Sequence, residues 1–328
     1  MQIDLGEFSE RVEDEFARVE QKVAGQVSTA EQALWPMLAG RDHNAQERRK
    51  NKKIIIGSKL DLSHVFLANF LAEWLKRKIP GVTCEARIPN GGSLKNFADV
   101  QFDWIDLYID FTGTCCQYFN IEHKDKSDTK IVDELNSYCN LIGLKMLQPL
   151  GATENYCLVI SKELAEERDL KTISDLSAVS NSLVFSADPE YLNRRDCYLG
   201  LKTEYSLNFK QIQPCKVTER YALLNGQQAD VFVGYETDPE IQTYGLEVLT
   251  DDREFFPRYA AVPLVSAGAL DSIPGLESAL NALAGKLSTE NLIDEIRKLS
   301  TRGPDIAIAK ELARKFCDQV QKASSEAS

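Results

Sequence analysis

The sequence predicts an α/β fold behind a helical N-terminal extension, and three observations predict it. Short apolar or alternating runs of strand length recur between helix-periodic stretches from residue 54 to residue 265. Residues 54–114 pass through strand, helix, strand, helix and strand, the order of a sheet built by crossovers. Residues 1–53 read differently: Leu5, Phe8, Val12, Phe16, Val19, Val23 and Val27 recur at three- and four-residue spacing among Glu and Arg.

That stripe is narrow and long enough for a small coiled-coil seam over residues 5–27. It either docks on the body of the same chain or self-associates. Residues 41–53 follow, polar and basic, closing on Arg48-Arg49-Lys50-Asn51-Lys52-Lys53. The run reads as a solvated linker, with a patch for a partner or a phosphate as the alternative. The body begins at Ile54-Ile55-Ile56, a buried strand bounded by Gly57-Ser58-Lys59. Asp61 or Ser63 caps the next helix, whose wide apolar face is Val65, Phe66, Leu67, Phe70, Leu71 and Leu75. Residues 82–88 make a second strand and residues 94–100 a helix, so the sheet is expected to be parallel.

Residues 106–114 hold the centre of this plan. Ile105, Leu107 and Ile109 alternate with Asp106, Tyr108 and Asp110, and Phe111-Thr112-Gly113-Thr114 then breaks the pattern. Gly113 permits a turn that other residues resist. An aromatic ring, two hydroxyls and backbone N–H groups thus gather at one strand end, where ligands of open α/β sheets bind. Residues 115–150 are expected to be mostly helical. Strands follow at 155–160, 183–186, 229–235, 246–249 and 256–265. Ser161 and Thr172 cap short helices, and another covers 221–224 and stops at Asn225-Gly226. From residue 276 the chain reads as helical to 317 with a break at Gly303-Pro304, and 322–328 as a polar tail.

Composition narrows the function classes. Lys and Arg number 38 against 50 Asp and Glu, a net charge of −12, which argues against a general nucleic-acid or anionic-membrane binder. No run approaches the ~20 apolar residues of a membrane span. The first residues show no basic n-region and no apolar h-region, so the chain as it stands is expected in the cytoplasm, or in the periplasm or outside the cell if a leader was removed. Eight cysteines are scattered without a CxxC pair, and there are three histidines, so neither a metal site nor a cofactor is expected.

Four aromatic residues each begin or end a strand beside a loop: Phe111, Tyr156, Tyr235 and Tyr259. Lys59, Thr114 and Arg194 share that placement. If the strand ends converge, rings attract a quaternary ammonium at roughly 0.5–2 kcal/mol per contact. The Lys, Arg and hydroxyl satisfy a carboxylate with charge-assisted hydrogen bonds. A ligand with both ends is a betaine. The competing reading is an enzyme, since Cys115, Cys116 and Cys157 lie beside these positions, although neither His64 nor His123 is tied to a cysteine by sequence.

These stretches carry a resemblance. Residues 54–59, 106–114, 155–158, 188–201, 221–230 and 235–259 resemble the glycine betaine/choline/carnitine substrate-binding proteins of ABC importers, in order, over residues 53–317. The Gly-Ser-Lys turn, Phe-Thr-Gly-Thr, Asp-Pro-Glu-Tyr-Leu with its Arg, and Phe-Phe-Pro-Arg-Tyr fall in register. The resemblance implies a two-lobed, periplasmic-binding-protein-like (type II) fold closing on its ligand. Lobe 1 would be 54–154 plus 260–320 and lobe 2 155–259, with 1–53 a helical extension and basic linker and 321–328 a tail. It also implies that Phe111, Tyr156, Tyr235 and Tyr259 form an aromatic cage and that Lys59, Thr114 and Arg194 hold the carboxylate. Phe111 stands where the family has tyrosine, and Glu154 adds a negative charge nearby. The implied partners are a quaternary ammonium solute and an ABC permease. A ligand-gated sensor or scaffold on the same fold is the alternative.

Overall fold

A computed structural model describes residues 40–121, 126–216, 220–225, 228–303 and 305–326. The stripe at 5–27, His123, Gly226 and Pro304 lie outside the described residues. Two five-stranded sheets organise the remainder. The first contains β1 (Lys53–Ile56), β2 (Thr83–Ala86), β3 (Leu107–Phe111), β4 (Leu144–Met146) and β10 (Ala261–Ser266), in the order β2-β1-β3-β10-β4. The second contains β5 (Tyr156–Ile160), β6 (Val184–Ala187), β7 (Gln211–Pro214), β8 (Val231–Tyr235) and β9 (Glu247–Leu249), in the order β7-β6-β8-β5-β9. The chain therefore leaves the first lobe after β4, builds the second, and returns to insert β10. The two crossing segments lie antiparallel: Thr153 bridges Ala260, and the Glu154 N–H donates to the Tyr259 carbonyl at 3.0 Å.

Both sheets are mixed. β1, β2 and β3 run parallel, joined by helical crossovers, but the returning β10 pairs antiparallel with β3 and with β4. The parallel expectation thus holds for one half of the first sheet, because β10 comes back from the opposite direction. β4 and β7 escape the sequence pattern. Each is a short strand at a sheet edge, and Gln-Ile-Gln-Pro offers a single apolar side chain to any period.

Leu62–Lys78 is the central helix of the first lobe. Asp61 caps it by accepting from the His64 N–H at 3.0 Å. Its Phe66, Phe70 and Trp74 are buried, and Phe70 meets Phe316 of the last helix at 5.2 Å between ring centres. The C-terminal region divides into Leu276–Asn281, Thr289–Arg302 and Ile306–Glu326, so the tail expected from residue 322 is helical through Glu326. Among the described residues no helix is long and apolar enough to cross a membrane.

The basic run at 41–53 is solvated only in part: Arg41, Lys50, Lys52 and Lys53 are exposed, but the run is no mere linker. Ala45–Lys50 is a helix, and Arg49 is 3% exposed. Its Nε donates to Asp106 at 2.7 Å and its Nη2 to Asp103 at 2.6 Å and Ser266 at 3.2 Å. Charge runs are usually solvated because burial is costly; here two carboxylates meet the guanidinium and offset that cost. The same contacts explain β3, whose five residues are all buried. The Asp106-Tyr108-Asp110 face, read as the polar side of an alternating strand, is closed over by partners from distant segments.

Candidate functional site

The C-terminal end of β3 runs straight into a helix, Thr112–Phe119. Gly113 is helical rather than a turn residue. Its requirement is a close approach: a Cβ there would stand 2.6 Å from ring carbons of Tyr259. Thr112 Oγ1 accepts from the Ala260 N–H at 3.1 Å and donates to the Arg258 carbonyl at 3.0 Å, which fixes the returning crossover against the strand end.

Lys59 reaches the same place from the loop after β1. Its Nζ lies 2.6 Å from Asp110 Oδ1 and 5.6 Å from the centre of the Phe111 ring. Asp110 also accepts from the Tyr108 hydroxyl at 2.6 Å and the Phe111 N–H at 2.9 Å. Burial alone would raise the Asp110 pKa, but Lys59 and these hydrogen bonds hold it below the usual carboxylate range. Burial would likewise lower Lys59, and Asp110 reverses the sign.

From the second lobe, Arg194 follows the short helix Pro189–Asn193. It donates to Asp196 through Nε at 2.9 Å and again through Nη2, to Glu190 at 3.0 Å, and across the cleft to Thr114 Oγ1 at 3.4 Å. The Tyr259 hydroxyl donates to the same Asp196 at 2.9 Å. Tyr156 is the hub of the rings. It stacks on Tyr235 at 5.0 Å and 28°, and meets Tyr259 edge-on at 5.1 Å and 87°. Tyr191 joins at 5.0 Å and Phe256 at 6.1 Å. Tyr235 is already engaged: Tyr156 stacks on it, and the Arg220 guanidinium, paired with Asp238 at 2.6 Å, sits 4.7 Å over the ring.

The seven residues singled out from sequence therefore fall into two groups. Tyr156 is in ring contact with Tyr235 and Tyr259, Arg194 is joined to Tyr259 through Asp196, and Thr114 is joined to Arg194. Lys59 and Phe111 form the wall from the first lobe, and Phe111 meets the His64 ring at 5.3 Å rather than a tyrosine. The partners went unread: Asp110, Glu190, Asp196, Tyr191 and His64. Tyr191 lies inside Asp-Pro-Glu-Tyr-Leu, and that motif was the signal available.

A polar flank adjoins Phe111. Asp61 receives the His64 Nδ1–H at 2.6 Å and the Ser63 hydroxyl at 2.6 Å. Ser63 Oγ also lies 2.9 Å from Glu154 Oε2, and Thr237 of the second lobe donates to Glu154 Oε1 at 2.7 Å. Burial, then the charge of Asp61, pushes Glu154 up to about 8. Asp61, His64 and Glu154 bring possible ligand atoms within 4.8 Å of one another, with His64 Nδ1 bonded to Asp61 and Ser63 bridging Asp61 and Glu154. Elsewhere, a cavity of about 540 Å³ between Leu62–Lys78, β2 and Ile306–Glu326 is lined by Glu73, Lys76, Glu85, Lys310 and Glu311 among others. Its lining alternates charge and includes no ring.

Two α/β lobes joined by paired crossovers, with rings and cations converging where they meet, make up the two-lobed architecture of periplasmic substrate-binding proteins. The chain belongs to the family of the substrate binding domain of the ABC-type glycine betaine transport system, whose pattern matches residues 52–319. It is similar to a carnitine transport binding protein of Listeria monocytogenes, 36% identical over 43% of this chain and 46% of the relative. An ergothioneine transport permease/ergothioneine binding protein of Helicobacter pylori is 26% identical over 75% of this chain and 44% of its own length. The chain's matches thus span about half the length of these relatives. A crystal structure of a glycine betaine/carnitine/choline ABC transporter protein superposes with a TM-score of 0.62 at 25% identity, covering 81% of this chain and 98% of that one.

Proposed function

We propose that the protein captures a betaine-like quaternary ammonium solute between its lobes and delivers it to an ABC-type permease for uptake. One observation carries the reading. Tyr156 stands in ring contact with Tyr235 and Tyr259, and Tyr259 is hydrogen-bonded to the Asp196 that also holds Arg194. The trimethylammonium group lies against Phe111, Tyr156 and Tyr259. It reaches Tyr235 when Arg220 withdraws from that ring. The carboxylate is taken by Lys59, Arg194 and Thr114. Both cations already have carboxylate partners, but Lys59 gives one of its three N–H groups to Asp110 and Arg194 four of its five to Asp196, Glu190 and Thr114, so Lys59 keeps two and Arg194 one for the ligand.

The relatives' names supply the candidate solutes: carnitine, glycine betaine, choline and ergothioneine, all trimethylammonium compounds. The Helicobacter relative, named as permease and binding protein together, supports the permease partner. Residues 5–27 offer a second interface, for self-association. Catalysis finds little support. Burial pushes the Cys116 thiol up to about 12 and Cys115, Cys157 and Cys197 well above the ordinary thiol range, so none supplies a thiolate near neutral pH.

Calorimetric titration of the full chain with the four solutes tests the proposal. Binding near the micromolar range corresponds to about −8 kcal/mol. The Tyr156→Ala, Tyr259→Ala double variant is expected to abolish it; full affinity in that variant would overturn the cage.

A further inference from the structure

His64 is 4% exposed, and its Nε2 has no hydrogen-bond partner. Buried polar atoms are rarely left this way, and each one asks for an explanation. The other ring nitrogen is fully committed. Ser63 has one hydroxyl hydrogen, yet its Oγ lies 2.6 Å from Asp61 Oδ1 and 2.9 Å from Glu154 Oε2. It cannot donate to both. The serine hydrogen goes to one carboxylate, and the second contact needs a hydrogen on a carboxyl group. Glu154, pushed up to about 8, is the group that carries it. The chain therefore runs from the Glu154 carboxyl to Ser63 Oγ, and from the Ser63 hydroxyl to Asp61. Asp61, ionised, also accepts the His64 backbone N–H at 3.0 Å and the Nδ1–H at 2.6 Å. This holds Nδ1 against Asp61 and leaves Nε2 as the ring's unpartnered nitrogen, while the ring itself meets Phe111 at 5.3 Å and 80°.

We propose that His64 Nε2 is a ligand contact and takes a hydroxyl carried by the bound trimethylammonium solute, which makes His64 a specificity-determining residue. This rests on the quaternary ammonium reading above. A hydroxyl is suited to the position because it both donates and accepts, so it serves Nε2 whether or not that nitrogen carries a proton. A carboxylate serves only the protonated form, and Lys59 and Arg194 compete for it. A ligand whose ammonium rests on Phe111 and whose hydroxyl stands two carbons away, as in choline and carnitine, brings that group toward the Phe111–His64 contact. Glycine betaine has no hydroxyl to offer. Because Thr237 holds Glu154 from the second lobe, the chain that orients His64 is completed across the cleft.

The test is calorimetric titration of the full chain with carnitine, choline and glycine betaine, comparing wild type, His64→Phe and His64→Gln. His64→Phe is expected to raise the Kd ratios of carnitine and choline to glycine betaine by about tenfold, the loss of one ordinary hydrogen bond. His64→Gln, which keeps a group able to meet a hydroxyl, is expected to recover part of the ratio. Ratios that do not move, or equal losses for all three solutes, overturn the proposal while the binding reading stands. Wild-type protein that binds none of the three overturns the binding reading itself, and this inference with it. If His64→Phe does not fold, the ratios in His64→Gln and in Asp61→Asn, which disturbs the orientation of the ring, decide the matter.

Discussion

Two aspartates at opposite ends of one strand make the most instructive comparison in this molecule. Asp106 precedes β3 and Asp110 lies near its end; both are fully buried, and both are paired with a base. At the first end the pair is closed in by further protein partners. Asp106 takes Arg49 Nε at 2.7 Å and the Ile55 N–H at 2.7 Å, and Arg49 also reaches Asp103 and Ser266. At the second end Lys59 holds Asp110 at 2.6 Å and stands over Phe111, beside the place where the lobes meet. Chemistry and burial are the same; position is not. A buried ion pair therefore does not mark a site by itself. The pair at the carboxyl end of the strands, whose cation keeps donors in reserve, is the one with a use for them.

The largest expected effect comes from breaking the first pair. Arg49→Met removes the closest guanidinium from both carboxylates, leaving Asp106 with Arg48 at 3.3 Å and Asp103 with the exposed Arg41 at 3.0 Å, and should cost about 3 kcal/mol of stability in urea unfolding. Lys59→Met strikes the second pair. Its expected signature is different: a loss of about 100-fold, or about 2.7 kcal/mol, in affinity for a carboxylate-bearing solute, with a smaller loss of stability as Asp110 takes up a proton instead. Calorimetry beside urea unfolding separates the two. If Lys59→Met destabilises as Arg49→Met does and leaves affinity unchanged, Lys59 is a structural cation and the comparison collapses.

This contrast also shows what sequence makes legible. The crossover order of β1 to β3, the caps at Asp61, Ser161 and Thr172, and the family membership are local or in-register signals, and they are present in the structure. The meaning of a polar face is not local. Alternation says that Asp106, Tyr108 and Asp110 share a side of β3; it does not say whether water or a base from some fifty residues away covers it. Arg49 was unreadable for the same reason. Gly113 reads as a turn residue in the sequence, whereas the Tyr259 ring that demands it lies far along the chain. Among the site residues, those at strand ends could be singled out, whereas Asp196 and Glu190 are defined by the Arg194 they hold and Arg220 by the Tyr235 ring it covers, all within the second lobe.

A third buried carboxyl sharpens the comparison at the smallest expected effect. Glu154 is as buried as the two aspartates in practice, at 3% exposure, but its direct partners are the hydroxyls of Ser63 and Thr237 rather than a cation. The charged groups acting on it are Asp61, which caps Leu62–Lys78, and Asp238, held by Arg220, from the segment after β8; the His64 ring lies beyond Asp61. Burial and the charge of Asp61 raise its pKa from 4.5 to about 8, the reverse of Asp110 beside Lys59. The folded chain thus keeps a proton that the unfolded chain has released. The stability this contributes is full below about pH 4.5 and is lost as pH rises through about 8. Urea unfolding of wild type at pH 5, 7 and 9 should show that decline, and Glu154→Gln, which keeps the shape and cannot ionise, should show a shallower one. Parallel declines in the two proteins would mean that Glu154 is ionised throughout. The hydroxyls of Ser63 and Thr237 would then be doing for Glu154 what Lys59 does for Asp110, and the division between paired and unpaired carboxyls would fail.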